Sequence, residues 1–159
     1  MGSGKTHWGR IWADVAQMQF HDLDELIEKK EHMSIEAIFE KKGEPYFRTI
    51  ESKLLRETLS FDNCIIACGG GTPCFDGNIQ WMNQNGTTIY LEASPKRLFD
   101  IILPEVDKRP LLKKVNRAEM LFFIEQKLHE RLPFYQLAMH SWPADTLHQQ
   151  TFNQLIPSN

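Results

Sequence analysis

The sequence predicts an α/β fold built on a mainly parallel sheet. Two observations carry this. Strand-like and helix-like segments alternate along the whole chain, as they do when each strand returns through a helix. Cys64-Ile-Ile-Ala-Cys68 is also an unbroken apolar run, the pattern of a strand covered on both faces, and it stops at Gly69-Gly70-Gly71. The 159 residues and 18.6 kDa suit one domain over residues 1–159, with no repeat, linker or low-complexity stretch.

Residues 5–17 read as a helix and 18–23 as a short strand. Helices follow over 24–30 and over 34–42, the second with Ser34 as N-cap and Gly43 as its stop. Pro45 suits a helix start, where its missing N–H costs nothing, and that helix runs to about Leu59. After the 64–68 strand come a helix over 75–84, a strand over 87–92 and a helix over 95–102. Asn116 and Glu119 resemble a capping box opening a helix with Leu121, Ile124, Leu128 and Leu132 on one stripe, broken or kinked at Pro133. Residues 140–143 make a last short strand before a C-terminal helix.

Composition narrows the function classes. Lys and Arg number 18 against 21 Asp and Glu, for a net charge of −3 and a pI near 6.1, which argues against a broad nucleic-acid or anionic-membrane surface. The longest apolar runs, 64–68 and 120–124, fall far short of the ~18–20 residues that span a bilayer. Three cysteines, Cys64, Cys68 and Cys74, have neither zinc-site spacing nor a disulfide count, and read as small buried hydrophobes in a reducing compartment. The six histidines are scattered without metal spacing, and the four tryptophans read as packing residues. The opening letters also fit a loose myristoylation pattern, but a glycine loop explains them better.

Gly2-Ser3-Gly4-Lys5-Thr6 is the second half of the phosphate-loop motif G-x-x-x-x-G-K-[ST]. Its glycines let backbone N–H groups converge on a phosphate, and the helix that follows adds its positive end. Lys5 is expected to reach the β- and γ-phosphates, and the Thr6 hydroxyl to ligate Mg²⁺. The first glycine of the motif and the strand that feeds the loop fall before Met1, so the first strand is expected to be missing from this chain.

Asp22 and Asp24, two apart at the end of the 18–23 strand, would share one face at the ligand edge of the sheet. One suits a metal's water shell and the other a substrate hydroxyl; a helix-start cap accounts for the pair equally well. Glu44, Arg48 and Glu51 lie on one helical face, and flanking carboxylates can hold a guanidinium fork toward a substrate carboxylate. On spacing alone, a surface ion pair worth about 0.3–0.5 kcal/mol explains them too. Gly69-Gly70-Gly71 clears side chains from the strand end and allows close backbone approach. Arg109 sits in an irregular stretch where a mobile arginine can close over a phosphoryl group. Arg131, near a helix end, favours the helix dipole equally.

Taken in order, these motifs resemble the shikimate kinases: G-S-G-K-T at 2–6, F-x-D-x-D at 20–24, G-E-x-x-F-R-x-x-E at 43–51, G-G-G at 69–71, R-P-L-L at 109–112 and E-R-x-P-x-Y at 130–135. The resemblance implies a three-layer phosphate-loop kinase like the nucleoside monophosphate kinases, with a five-stranded parallel sheet flanked by helices and a mobile lid near 101–115. It implies transfer of the γ-phosphoryl of Mg-ATP to the 3-hydroxyl of shikimate, on the route to aromatic amino acids. By resemblance, Gly2, Ser3, Gly4, Lys5, Thr6 and His7 bind the ATP phosphates, and Thr6 binds Mg²⁺ with Asp22 behind its waters. Asp24 holds the substrate hydroxyls and acts as base. Arg48, fixed by Glu51, and Arg131 clamp the shikimate carboxylate. The backbone of Gly69, Gly70 and Gly71 contacts the ring hydroxyls, and Arg109 comes down from the lid. The implied partners are shikimate and ATP, with no nucleic acid or membrane, in a cytoplasmic monomer.

The chain departs from the family pattern at His7, where a second hydroxyl residue is usual, and at Leu103 and Pro104, where relatives often carry an arginine. The tail after Asp145 lacks the basic adenine-side loop of some members. Two rival readings stand beside the first: another small-molecule phosphate-loop kinase, such as a gluconate kinase relative, and an inactive shikimate- or nucleotide-binding remnant.

Overall fold

A computed structural model of the protein describes residues 2–103 and 119–155. Helix α1 (Lys5–Ala16) starts directly after Gly4, whose backbone is left-handed at φ 85°. It ends at Gln17, also left-handed, whose N–H returns to the carbonyls of Ala13 and Asp14. Strand β1 (Gln19–Asp22) follows, then α2 (Leu23–Glu31) and α3 (Ile35–Glu57). Ser34 caps α3 by accepting from the Ala37 N–H. At φ 81°, Gly43 breaks the helical path inside α3, so the expected stop and restart at Pro45 appear as a kink rather than a separation.

Strand β2 (Cys64–Ala67) runs into a short 3₁₀ turn at Thr72–Cys74 and then α4 (Asn78–Asn85). The helix expected from residue 75 starts three residues later, because Asp76 and Gly77 are both left-handed and cannot continue a right-handed helix. Strand β3 (Ile89–Glu92), α5 (Pro95–Ile102), α6 (Met120–Tyr135), β4 (His140–Pro143) and α7 (Thr151–Leu155) complete the order. Pro133 does not break α6, which continues past it to Tyr135; its missing N–H removes one bond of the ladder, to the residue 129 carbonyl. Glu119 occupies the N-cap position of α6 without a side-chain cap, so it is not the third residue of a capping box; Asn116 lies outside the described residues.

β1 pairs parallel with β2, from Gln19 opposite Cys64 to Asp22 opposite Ala67. β3 pairs parallel with β4, from Ile89 opposite His140 to Glu92 opposite Pro143. Among the described residues these remain two two-stranded sheets, not one continuous sheet, because β2 and β3 exchange no backbone hydrogen bonds. One core cluster joins α1 to both pairs: Trp12 packs with Leu91, Ala144 and Phe152, and Ile65 and Ile89 lie against it. A second fills the space between α2 and α3 with Leu23, Ile27, Ile38 and Leu55, and a third joins α5 to α6 through Leu98, Ile102, Met120 and Ile124. Parallel pairing brings the carboxyl ends of β1 and β2, at Asp22 and Ala67, to the same edge.

Candidate active site

The site grows from that edge. The glycine turn at residues 2–4 delivers Lys5 and Thr6 at the amino end of α1, where unpaired N–H groups and the positive helix end favour anions. The Thr6 hydroxyl donates to Asp22 Oδ2 at 2.8 Å, joining helix start to strand end. Asp22 Oδ1 accepts from the Asp24 N–H at 3.0 Å and caps α2. Asp24 is therefore in the first turn of α2, not on the strand, and it reaches the site from a helix rather than by two-residue alternation. A Cβ on Gly69 would stand 3.4 Å from Asp24 Oδ1, so the carboxylate faces the triple-glycine turn. Burial raises its pKa above the ordinary 3.8; the nearby Lys5 charge opposes the rise, and Asp22 and Glu28 add to it.

Arg48 is held on every side. Its Nη1 donates to Glu51 Oε2 at 2.8 Å, and Nε and Nη2 donate to Glu44 Oε1 at 3.1 and 2.9 Å. The guanidinium lies 4.3 Å from the Phe75 ring centre and 5.0 Å from that of Phe47. Arg48 is 8% exposed and Glu51 only 1%, so this is a buried clamp and not a surface ion pair. Glu51 also accepts from the Thr72 hydroxyl at 2.7 Å, tying α3 to the turn after the glycines. Burial raises the Glu51 pKa, with Thr72 and Arg48 pulling the other way. Burial alone lowers that of Arg48, yet Glu51 and Glu44 hold it above its ordinary value. Gly71 is required by space rather than by its backbone angle. A Cβ there would sit 2.6 Å from Arg48 Nη2 and 2.7 Å from Nη1.

Across the turn, the Tyr135 hydroxyl donates to the Gly70 carbonyl at 2.6 Å, and its ring lies 4.8 Å from that of Tyr90 on β3. Arg131 lies one turn earlier on α6; burial raises the pKa of Tyr135, and the Arg131 charge pulls it the other way. A cavity of about 560 Å³ has Lys5, Gly69, Gly70, Arg131 and Tyr135 in its wall. Arg48 is not one of its lining residues; it lies against Gly71, the next residue of the same turn.

Ser3 lines this cavity as well. His7 does not join the group: it is exposed, with its ring edge-on to Trp8 at 5.2 Å. Arg109 and most of the expected lid, 104–115, lie outside the described residues. The three cysteines are free but only partly enclosed, less so than core hydrophobes; burial still pushes the Cys68 thiol up to about 12.

Several supporting residues escape sequence reasoning. Ser52 donates to Asp76, and Asn78 donates to Ser52 and to the Thr72 carbonyl, while Arg56 donates to Asn78 and to the carbonyls of Ser52 and Asp76. This network, buried at Ser52, Thr72 and Asn78 and open at Asp76, pins the 71–78 segment onto α3. The hydroxyl after three glycines was the available signal for Thr72. Nothing local marks Phe75 as the ring over Arg48.

A glycine turn at a helix start, a lysine and threonine behind it, and an aspartate at the neighbouring strand end, set in an α/β fold with parallel strands, define a phosphate-loop kinase. The shikimate kinase family model matches residues 1–157. Shikimate kinases of Phocaeicola vulgatus and Bacteroides fragilis are 39% and 38% identical, over 92% and 95% of this chain and 84% of each relative. The crystal structure of shikimate kinase from Bacteroides thetaiotaomicron is 36% identical with a TM-score of 0.88, over 97% of this chain and 90% of that one. The Acinetobacter baumannii enzyme, solved in complex with shikimate, is 31% identical with a TM-score of 0.87, over 97% and 84%. The chain belongs to the shikimate kinase family. It is an ATP-dependent kinase with ATP as co-substrate.

Proposed function

We propose that the protein transfers the γ-phosphoryl group of ATP to the 3-hydroxyl of shikimate, giving shikimate 3-phosphate and ADP. The observation that carries this reading is the buried Arg48, fixed by two carboxylates and two rings beside the triple glycine. A fork immobilised in this way meets a planar carboxylate bidentately with little further ordering. Arg131 supplies the second positive group, and the glycine backbone lets the ring hydroxyls approach closely. Asp24 takes the hydroxyl proton, and Lys5 with the N–H groups of residues 2–6 neutralises the phosphates. Arg109 adds charge from the lid side, and His7 flanks the loop.

Mg²⁺ suits the donors present. Thr6 and Asp22 offer a hydroxyl and a carboxylate, hard oxygens with their atoms 2.8 Å apart. Among the described residues no group of three or more His, Cys, Asp or Glu forms a closed metal cage. Mg²⁺ held by Thr6, with Asp22 behind its waters, supplies charge neutralisation on the ATP phosphates. Family membership supports reading the protein as a cytoplasmic monomer. Separately, no helix among the described residues is long and apolar enough to cross a membrane.

Gluconate, a hydroxylated carboxylate, fits the arginine clamp in isolation, but family membership favours shikimate. The test is phosphorus NMR of the products from a panel containing shikimate and gluconate. Shikimate 3-phosphate alone is expected; a gluconate phosphate as the main product would reverse the assignment.

Two substitutions probe the site's geometry. Tyr135→Phe removes the 2.6 Å bond to the Gly70 carbonyl. It should raise the KM for shikimate about 5–10-fold, the size of one hydrogen bond, with the KM for ATP unchanged. Equal changes in both KM values would count against a role confined to the glycine turn. Gly71→Ala keeps a permitted backbone (φ −88°) but drives its methyl into the guanidinium. It is expected to lower kcat/KM for shikimate at least about tenfold by displacing Arg48, with the fold retained by circular dichroism.

A further inference from the structure

Beyond Arg48, α3 carries a second arginine that lies away from the substrate cavity. Arg56 sits about two turns, or about 12 Å, further along the helix and does not line the cavity. Its Nη1 donates to the Ser52 carbonyl at 2.9 Å and to Asn78 Oδ1 at 2.6 Å, and its Nη2 donates to the Asp76 carbonyl at 3.0 Å. Asn78 is fully buried, and among the described residues no other donor reaches its Oδ1. A basic residue in the last turn of a helix also suits the helix dipole, but that role needs no bond to a second segment.

The segment it reaches has to be held. Asp76 and Gly77 are both left-handed, at φ 49° and 66°, and a residue with a side chain keeps that conformation only where its surroundings fix it. The Ser52 hydroxyl adds a bond to Asp76 Oδ2 at 2.9 Å, and the Asn78 N–H returns to the Phe75 carbonyl at 2.9 Å. Phe75 enters this turn with its ring centre 4.3 Å from the Arg48 guanidinium. Arg48 has five N–H donors, of which Glu44 and Glu51 take Nε, one on Nη1 and one on Nη2. One N–H on each Nη is left, the pair that meets a carboxylate end-on. Tilting the guanidinium plane would turn that pair off a bound carboxylate, and the Phe75 ring over it resists the tilt.

We propose that Arg56 is a positioning residue for recognition of the substrate carboxylate. It latches residues 76–78 to α3, and the latched turn holds the Phe75 ring over the Arg48 fork, so that the two spare N–H groups meet the acid together. The proposal rests on the reading of Arg48 as the residue that binds the shikimate carboxylate. Arg56 itself touches no substrate. Its effect passes through the turn and the ring, and therefore falls on the use of shikimate and not on that of ATP.

The test is a double-mutant cycle on the full chain, read as the KM for shikimate and the KM for ATP. Phe75→Leu should raise the KM for shikimate about 3–20-fold, the range for losing one cation–π contact, while Phe75→Tyr, which keeps the ring, should stay within about twofold of wild type. Arg56→Met should raise the same KM about 3–10-fold with the KM for ATP unchanged, and combined with Phe75→Leu it should be no worse than Phe75→Leu alone. Arg56→Lys lacks the planar fork and should behave like Arg56→Met, which covers a methionine variant that fails to fold. Additive losses, equal rises in both KM values, or Phe75→Tyr as impaired as Phe75→Leu would overturn the proposal. So would a lower melting temperature with both KM values unchanged, which would leave Arg56 a helix-end stabiliser. Arg48→Ala, measured alongside, separates the two readings. If it spares shikimate use, the assignment of the fork is overturned; if it impairs shikimate use and the Arg56 and Phe75 variants do not, only the latch is.

Discussion

Replacing Arg48 with alanine should lower kcat/KM for shikimate by about 10²–10³ while ATP binding stays nearly intact. The magnitude follows from losing two charge-assisted hydrogen bonds to one carboxylate, worth about 1.5–3 kcal/mol each before any compensation. A stability cost comes with it. Glu51 is 1% exposed and would lose its counter-charge, keeping only the Thr72 hydroxyl. Its pKa, already raised by burial, would climb further, and the melting temperature should fall. Arg48→Ala combined with Glu51→Gln separates the two effects: the double variant should recover stability but not shikimate use. Parallel losses in shikimate and ATP binding by the single variant would refute the division of labour between α3 and the phosphate loop.

The second large effect is at Asp24. Asp24→Asn should reduce kcat by about 10²–10⁴, the range for removing a positioned general base. Stability should move the other way. The folded-state pKa of Asp24 lies above its ordinary value because burial disfavours the anion. Between that ordinary value and the raised one, the folded protein holds more protons than the unfolded chain. Stability therefore falls as pH rises through this window, and stays lower above it. Asparagine removes that penalty, so the variant should melt higher than wild type at pH 7 and depend less on pH above about 4. Glu51, also raised by burial, contributes the same sign in both proteins, so the dependence should weaken without vanishing. A variant that melts lower at pH 7 would mean that Asp24 stabilises the fold and is not a strained functional group.

What was legible in the sequence was what is local. The phosphate loop, α1, Asp22 at the end of β1 and the glycines after β2 are each written in a few consecutive residues. The kink at Gly43 and the cap at Ser34 follow from one residue's conformational preference. The burial of Arg48 was not legible, because i, i+3 and i, i+4 spacing is identical for a solvated pair and an enclosed clamp. What encloses it, Phe75 and Gly71, comes from another segment. The start of α4 slipped because Asp76 is left-handed, which its residue type permits but does not require. Asp24 reads as a strand partner of Asp22 by two-residue spacing, yet α2 begins between them at Leu23. The division of the described strands into two pairs is a tertiary fact that no stretch of consecutive residues carries.

The most direct test of the central claim is ADP release from Mg-ATP by this protein with and without shikimate. The account predicts release that depends on shikimate and that Arg48→Ala cuts by about 10²–10³ at low shikimate. Release indifferent to shikimate, or none at all, would contradict it.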